Sequence, residues 1–575
     1  MEDYMRLLNF CIGTVRTVEM AGEQVPTAHL KQPIPEPWAI TEGGPAGDER
    51  AIHPDAVYAV GHGHYDYWAT DLGMDRAGWE DGLFGENLTF DTLDESELRL
   101  GDVLAIGDEV RLVVAGPRVP CFKLAWRLGQ PRTFQTRFAI SAHTGVYFGV
   151  VSPGRVRPDD RVELLSRDET YPTVAEVALY CSGNFTPPID GLRHALTQPA
   201  LSLTVRLILQ SKLSSAERAA ALERGAWSGW RDFEIAAIRR ETAEISSFEL
   251  TPVDGQPIAI ADPGQFVTVH LDDDQGSFSR AWSLSQRTEP GRPYRITVRR
   301  QEGGRGSTWL HDGLAIGDRL ALRSPAGRFV FDAGGFRPVV MIAAGIGITP
   351  FLPMLEAHKA RGAEAPPLHF FYVAPNRAAQ ALRAEIDSLA EGQPYWHFSH
   401  IFTRPTEDET EGRDFRHHGR IDASHIREWM KDNYLPFGDG RIPLPWYEAD
   451  IYICGPDAFC TDMVAALGAA GANPDRIFHE LFATPPADDG EAGIEEARIR
   501  FERSGIEAIW RADDAMSLLD CAEAAGIAIP HDCRIGACHS CRTGIIAGRT
   551  SAALDGGQAL LCAARPLTAE VTIDA

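Results

Sequence analysis

Four cysteines crowd one end of this 575-residue chain: CRIGACHSC carries Cys533, Cys538 and Cys541, and LLC brings Cys562 after a gap of twenty residues. The pattern C-x4-C-x2-C followed by one distant cysteine suits a [2Fe–2S] cluster. Such a cluster needs four thiolates, three of them from one tight loop. Gly536, Ala537 and Ser540 are small enough for backbone amides to reach the sulfurs. A zinc site would pair its cysteines two to four residues apart on both sides, whereas here the fourth stands alone. Cys11, Cys181, Cys460 and Cys521 are scattered, so clustering points to metal and not to a disulfide framework.

Phosphate chemistry is written in glycines. In Gly303-Gly304-Arg305-Gly306-Ser307 a flexible turn precedes a helix, leaving backbone N–H groups to cradle a phosphate with Ser307 at the helix mouth. In VVMIAAGIGITP an apolar strand runs into a turn where Gly345 and Gly347 allow a dinucleotide close to the backbone, and a helix begins near Thr349. YICGP sets Cys454, Gly455 and Pro456 at the end of a buried strand. Far upstream, GPRVPCFKL places Cys121 between Pro120 and Phe122, with Arg118 and Lys123 beside it.

These residues must be positioned by several domains, since 575 residues exceed one hydrophobic core. Residues 1–168 read as a barrel-like all-β domain of short strands broken by Gly, Pro and Asp. Residues 169–225 show helical periodicity. Strand patterns return over 226–334, and a βαβ alternation over 335–485 predicts a parallel α/β domain. The acidic, Gly- and Pro-containing stretch 486–493 reads as a linker, and 494–575 as a last compact unit. The fold class is therefore multidomain, α+β and α/β. A net charge of −26 repels nucleic-acid backbones and serves solubility. No run approaches the ~18 apolar residues of a membrane span, and the N-terminus lacks a signal-type apolar core, so a cytoplasmic location is expected.

The last unit resembles the plant-type ferredoxin domain, a β-grasp, which implies the four cysteines as iron ligands. Residues 226–485 resemble the ferredoxin-reductase family, a flavin-binding antiparallel barrel followed by an NAD(P)-binding domain. Its R-x-Y-S motif is matched by Arg280-Ala281-Trp282-Ser283, with Trp in place of Tyr. The family implies that Arg280 meets the flavin phosphate, Trp282 packs on the isoalloxazine and Ser283 bonds near the reactive nitrogen. It also implies that Cys454-Gly455-Pro456 meets the nicotinamide and that Glu480 and Phe482 of HELF cover the flavin. Ala344 stands where the family has glycine. A C-terminal cluster is similar to the phthalate dioxygenase reductase type, which commonly uses FMN. RITVRRQEGGRGSTWLH is more similar to the FAD barrel of flavohaemoglobins, so FAD is expected and FMN is the alternative. Arg377 and Arg404 are candidates for a 2′-phosphate, leaving NADH and NADPH both open.

GLFGENLTF, GPRVPCFKL and HTGVYFGVV resemble the MOSC family across most of residues 1–168, and 169–225 resembles the three-helix unit that follows it in some bacterial members. Gly85, Glu86 and Asn87 match its GENL turn, and Gly145 its TGxYF turn. The resemblance implies that Cys121 ligates the metal of a molybdenum cofactor, with Arg118 and Lys123 as contacts. The loop holding His53 is shorter than the family's His-Gly-Gly loop. His62, His64 and Tyr65 are a candidate proton source, set against a default reading as exposed loop residues.

Together these imply an NAD(P)H-dependent flavin/iron–sulfur oxidoreductase. In the leading reading it is self-sufficient, passing electrons from nicotinamide through flavin and [2Fe–2S] to molybdenum at Cys121 and reducing small N-hydroxylated compounds. The alternative reading sends electrons to an external redox acceptor protein such as an oxygenase. The MOSC domain is then structural, regulatory or a sulfur carrier.

Overall fold

The computed structural model describes residues 5–49, 55–183, 185–227, 229–273, 276–362, 365–431, 433–437, 440–482, 494–512, 516–531, 536, 541–554 and 556–575. His53, Cys533, Cys538 and the expected linker 486–493 lie outside the described residues.

The front domain is a closed barrel. Strand Val110–Pro117 shows why: Val110, Leu112 and Val114 alternate inward and are fully buried, the period-two pattern of a strand with one face on a core. Around the barrel the order is Arg161–Ser166, Val103–Ile106, Val110–Pro117, Val146–Ser152, Val57–Gly61, Leu88–Phe90 and Met5–Ile12. Met5 then pairs with Val162 and closes the ring. Helices Val174–Cys181, Ile189–Leu196 and Leu203–Gly225 follow. A reciprocal capping box between Thr173 and Glu176 starts the first. Val177, Leu192, Ala195, Val205 and Leu209 bury themselves with Leu100 of the barrel, each such burial stabilising by roughly 1.5–3 kcal/mol.

Six antiparallel strands form the next domain, in the order Gly276–Ser283, Phe266–Asp273, Arg319–Leu322, Arg231–Arg240, Ile245–Pro252 and Tyr294–Arg299. A parallel sheet follows, ordered His417–His418, Trp396–Phe402, Leu368–Ala374, Val339–Ala344, Asp450–Gly455 and Ile477–Leu481. Every residue of Val339–Ala344 and Leu368–Ala374 is buried, as a sheet covered on both faces requires. The chain leaves Val339–Ala344 in one direction and returns to its other side at Asp450–Gly455. The crevice at the C-terminal ends of these two strands is thus a topological switch point.

The front domain seats on the opposite edge, where these strands begin. Phe122, Met20 and Val25 share a buried cluster with Val340, Ile451, Trp446 and Tyr447. Arg132 pairs with Glu448, which is 3% exposed, and lies 3.7 Å over the Tyr447 ring. Arg337, in the lead-in to Val339–Ala344, binds the other Glu448 oxygen at 3.3 Å. Arg427 donates to the Gly22 carbonyl at 2.6 Å, and the Thr136 hydroxyl to Asp475 at 2.8 Å.

The last domain orders its strands Ile506–Arg511, Glu496–Phe501, Glu570–Ile573, Arg542–Ala547, Gln558–Leu560 and Ala553–Leu554. Helix Leu518–Ala524 begins at a Ser517–Asp520 capping box and buries Leu518, Leu519 and Ala522 in the core of this sheet.

Candidate functional site

Strand Gly276–Ser283 carries Arg280, Trp282 and Ser283, and Arg280 meets helix Arg305–Asp312. Gly306 lies against the Arg280 stem; a Cβ there would stand 2.9 Å from Arg280 Cγ. The Arg305 guanidinium sits 3.9 Å over the Phe278 ring and that of Arg280 5.0 Å from it. Burial and then the like charge of Arg305 lower the Arg280 pKa. Two guanidiniums converging at a helix start fit a phosphate. Gly303 has φ +71° and open space around it. Ser307 spends its hydroxyl on the turn, accepting from Gln301 N at 3.0 Å and donating to the Gly304 carbonyl at 3.2 Å. Arg305, quoted in the sequence only as part of the turn, is the second cation of this site. Trp282 is half-buried and packs against the barrel core.

At the far end of the same strand the Ser283 hydroxyl donates to Glu480 Oε2 at 3.3 Å. Glu480 stands in register opposite Cys454, so residues from three distant segments meet at the C-terminal edge of the parallel sheet. By surface area Glu480 is half-buried, yet the protein crowding around it pushes its carboxyl up to about 8, against the opposing Ser283 bond. That combination suits a cleft wall that a ring system would cover. Burial first, then Glu480, pushes the Cys454 thiol well above its ordinary value.

The glycine turns are shaped by close approach. A Cβ on Gly347 would lie 2.3 Å from the Cys454 carbonyl oxygen, and one on Gly455 2.7 Å from Ala344 Cβ. Gly345 has φ +57°. The expected helix starts as a 3-10 turn over Gly345–Ile348, and Phe351–Lys359 is its α-helical part. The Thr349 hydroxyl donates to the Ile346 carbonyl at 3.2 Å, and Pro456 caps helix Asp457–Ala469. Phe482 is 41% exposed. Arg377 stands 3.8 Å from Asp414, and Arg404 is exposed after the next strand.

Near the chain end, Cys541 and Cys562 Sγ atoms are 3.0 Å apart. Gly536 N donates to Cys562 Sγ at 3.1 Å and Cys562 N to Cys541 Sγ at 3.4 Å. Amides aimed at two converging sulfurs fit cluster ligands. Among the described residues no group of three or more His, Cys, Asp or Glu is placed to hold a metal ion, Cys533 and Cys538 lying outside them.

In the front domain, half-buried Cys121 precedes helix Phe122–Arg127. Arg118 and Lys123 are each 3% exposed. Arg118 packs on the Tyr58 and Phe138 rings and hydrogen-bonds Tyr147, and its Nη1 has no hydrogen-bond partner. Lys123 Nζ donates to the Pro26 carbonyl at 3.1 Å. Burial lowers its pKa, and Cys121 is the charged group that opposes this. Buried cations beside a thiol fit an anionic, thiolate-held cofactor. Gly85 has φ +80° and packs on His29, Asn87 Nδ2 donates to the Cys11 carbonyl at 3.2 Å, and Gly145 has φ +76°. His62, His64 and Tyr65 are not in an exposed loop: they start helix His62–Leu72. His64 is buried, 2.8 Å from Glu95, and the Tyr65 hydroxyl donates to the buried carboxylate of Glu86. Carboxylates distant in sequence recruit both groups into structure.

Four family models match in series: the MOSC domain over residues 47–163, the oxidoreductase FAD-binding domain over 237–331, the oxidoreductase NAD-binding domain over 341–465 and the 2Fe-2S iron-sulfur cluster binding domain over 501–567. A flavohemoprotein of Bacillus subtilis is 34% identical over 261 residues, 45% of this chain and 60% of the relative. The chain thus spans about 60% of the length of that curated relative. Among solved structures, phthalate dioxygenase reductase aligns at 23% identity and TM-score 0.40, covering 60% of this chain and 98% of that one. YiiM from Geobacillus stearothermophilus aligns at 25% identity and TM-score 0.31, covering 36% and 99%. Among the described residues no helix is long and apolar enough to cross a membrane. The chain joins a MOSC domain to a ferredoxin-reductase-type flavin/NAD module and a [2Fe–2S] ferredoxin domain, the domain set of an NAD(P)H-dependent flavin/iron–sulfur oxidoreductase.

Proposed function

We propose that this chain is a reductase that takes electrons from a nicotinamide nucleotide and delivers them from its iron–sulfur cluster to a separate acceptor protein, such as an oxygenase. The MOSC domain then has a structural, regulatory or sulfur-carrying role. The observation supporting this best is the placement of two sites at opposite edges of one sheet. Ser283, Glu480 and the glycine turns gather at the C-terminal edge, and Cys121 lies beside the joint at the N-terminal edge. Strand Val339–Ala344 has six residues, so at ~3.3 Å each about 20 Å of packed sheet lies between.

A bound flavin would supply the conversion between the two-electron chemistry of a nicotinamide and the one-electron chemistry of the cluster. The residues here bind and orient. Arg280 and Arg305 would hold the flavin phosphate, and the half-exposed part of Trp282 would flank its ring. Gly345, Gly347 and Gly455 admit the dinucleotide to the crevice. Glu480, its carboxyl pushed up to about 8, accepts from the Ser283 hydroxyl and fixes that hydroxyl at the crevice. Cys533, Cys538, Cys541 and Cys562 hold the irons. Anaerobic NADH or NADPH should bleach flavin and cluster together in loaded protein, which then reduces an added one-electron acceptor protein. Flavin bleaching that leaves the cluster oxidised overturns this reading.

A second reading is favoured by the unpartnered Arg118 Nη1 and by the buried Lys123, two residues from Cys121. In it, Cys121 ligates a molybdenum cofactor whose phosphate these cations hold, and the site reduces N-hydroxylated compounds. Its test is molybdenum content in protein made with cofactor biosynthesis intact. Stoichiometric metal lost in Cys121→Ala supports it, and no metal in either protein rejects it.

A further inference from the structure

Three arginines on the strands of the ferredoxin domain are neutralised: Arg500 pairs with Glu502 at 2.9 Å, Arg503 with Asp574 at 2.7 Å and Arg511 with Glu496 at 3.1 Å, while Arg498 on the first strand meets no carboxylate among the described residues. Those beside the cysteines are not neutralised. Arg542 directly follows Cys541, Arg565 lies three residues past Cys562, and the Arg549 carbonyl accepts from Leu567 N, five residues past Cys562, at 2.8 Å. All three are exposed. Among the described residues none of them meets a carboxylate; the Arg542 guanidinium reaches only the neutral amide of Gln558. Ile546, 56% exposed and four residues along the strand from Arg542, and the exposed Ala563, two residues before Arg565, add apolar surface beside them. Unpaired cations around a small apolar patch make a docking face with a polar rim.

This basic face belongs to a chain of net charge −26. An acidic partner is therefore attracted here and repelled by the chain's overall field, which fixes the docking orientation. The MOSC site is the wrong partner on charge, since Cys121 already has Arg118 and Lys123 beside it and Arg337 within electrostatic reach. We propose that the cluster-side face bearing Arg542, Arg549 and Arg565 docks the acidic surface of a separate electron-acceptor protein. This rests on the reading that electrons leave the chain from the cluster.

The test compares two probes in stopped flow with the reduced holoprotein: cytochrome b5, whose haem edge is ringed by carboxylates, and cytochrome c, ringed by lysines. If nicotinamide fails to reduce the cluster, the proposed function falls; the cluster is then reduced photochemically and the same comparison still judges the face. In the triple variant Arg542→Gln/Arg549→Gln/Arg565→Gln, the rate to cytochrome b5 should drop about tenfold, roughly twofold per rim arginine. The rate to cytochrome c should hold or rise. Raising salt from about 0.1 M to about 0.5 M should narrow the gap between wild type and variant. Cluster absorbance in the variant checks that it folds. Equal rates to cytochrome b5 before and after substitution, or a matching loss with both probes, overturn the proposal.

Discussion

Glu448→Ala is the sharpest perturbation of the architecture. The side chain is 3% exposed and serves two arginines, Arg132 of the MOSC domain at 17% exposure and Arg337 at 18%. Removing it leaves both cations without their carboxylate at the joint, and breaking a buried pair from one side costs ~3–5 kcal/mol. For domains of this size each kcal/mol is worth ~2–4 °C in Tm, so the joined unit should melt roughly 10 °C lower. Calorimetry on the full chain, with a double-mutant cycle against Arg132→Ala, reads this directly. The cycle should return a coupling above ~1 kcal/mol, because the two side chains touch. An unchanged Tm and additive single mutants would refute the view that the MOSC domain is docked through this triad. The separation of the two sites across the sheet would then no longer hold.

Other expectations follow from single groups. Because the Glu480 carboxyl is raised to about 8 in the folded chain from its ordinary 4.5, its burial costs least below pH 4.5 and most above pH 8. Stability relative to Glu480→Gln should therefore decline as pH rises through that window, and flavin reduction by nicotinamide should show an inflection near 8 that the variant lacks. Arg280→Gln should weaken flavin affinity about tenfold or more, the worth of one charge-assisted hydrogen bond at ~1.5–3 kcal/mol, as read by fluorescence of released flavin. Gly347→Val should raise the nicotinamide KM or unfold the turn, since its Cβ falls 2.3 Å from the Cys454 carbonyl oxygen; normal kinetics would remove the crevice from the account.

Much of this was legible in the sequence because local motifs dictate local geometry. The glycine turn Gly345–Gly347 after an apolar strand, and the cysteine spacing ending in Cys562, each carry their chemistry within a short stretch. Arg280 to Ser283 was legible only through resemblance. What stayed hidden depends on contacts across hundreds of residues. Arg132 meets Glu448 at a separation of 316 positions, and Ser283 meets Glu480 at 197. Neither periodicity nor spacing encodes such pairings. His64 and Tyr65 looked like loop residues for the same reason: their carboxylate partners, Glu95 and Glu86, lie well beyond helical reach.

The central claim is that electrons leave from the iron–sulfur cluster and not through Cys121. The direct measurement is nicotinamide-driven reduction of cytochrome b5 by wild type, Cys121→Ala and Cys541→Ser. The account predicts that Cys121→Ala matches wild type while Cys541→Ser loses the activity and keeps flavin reduction. Loss of cytochrome reduction in Cys121→Ala, with its cluster intact, would contradict it.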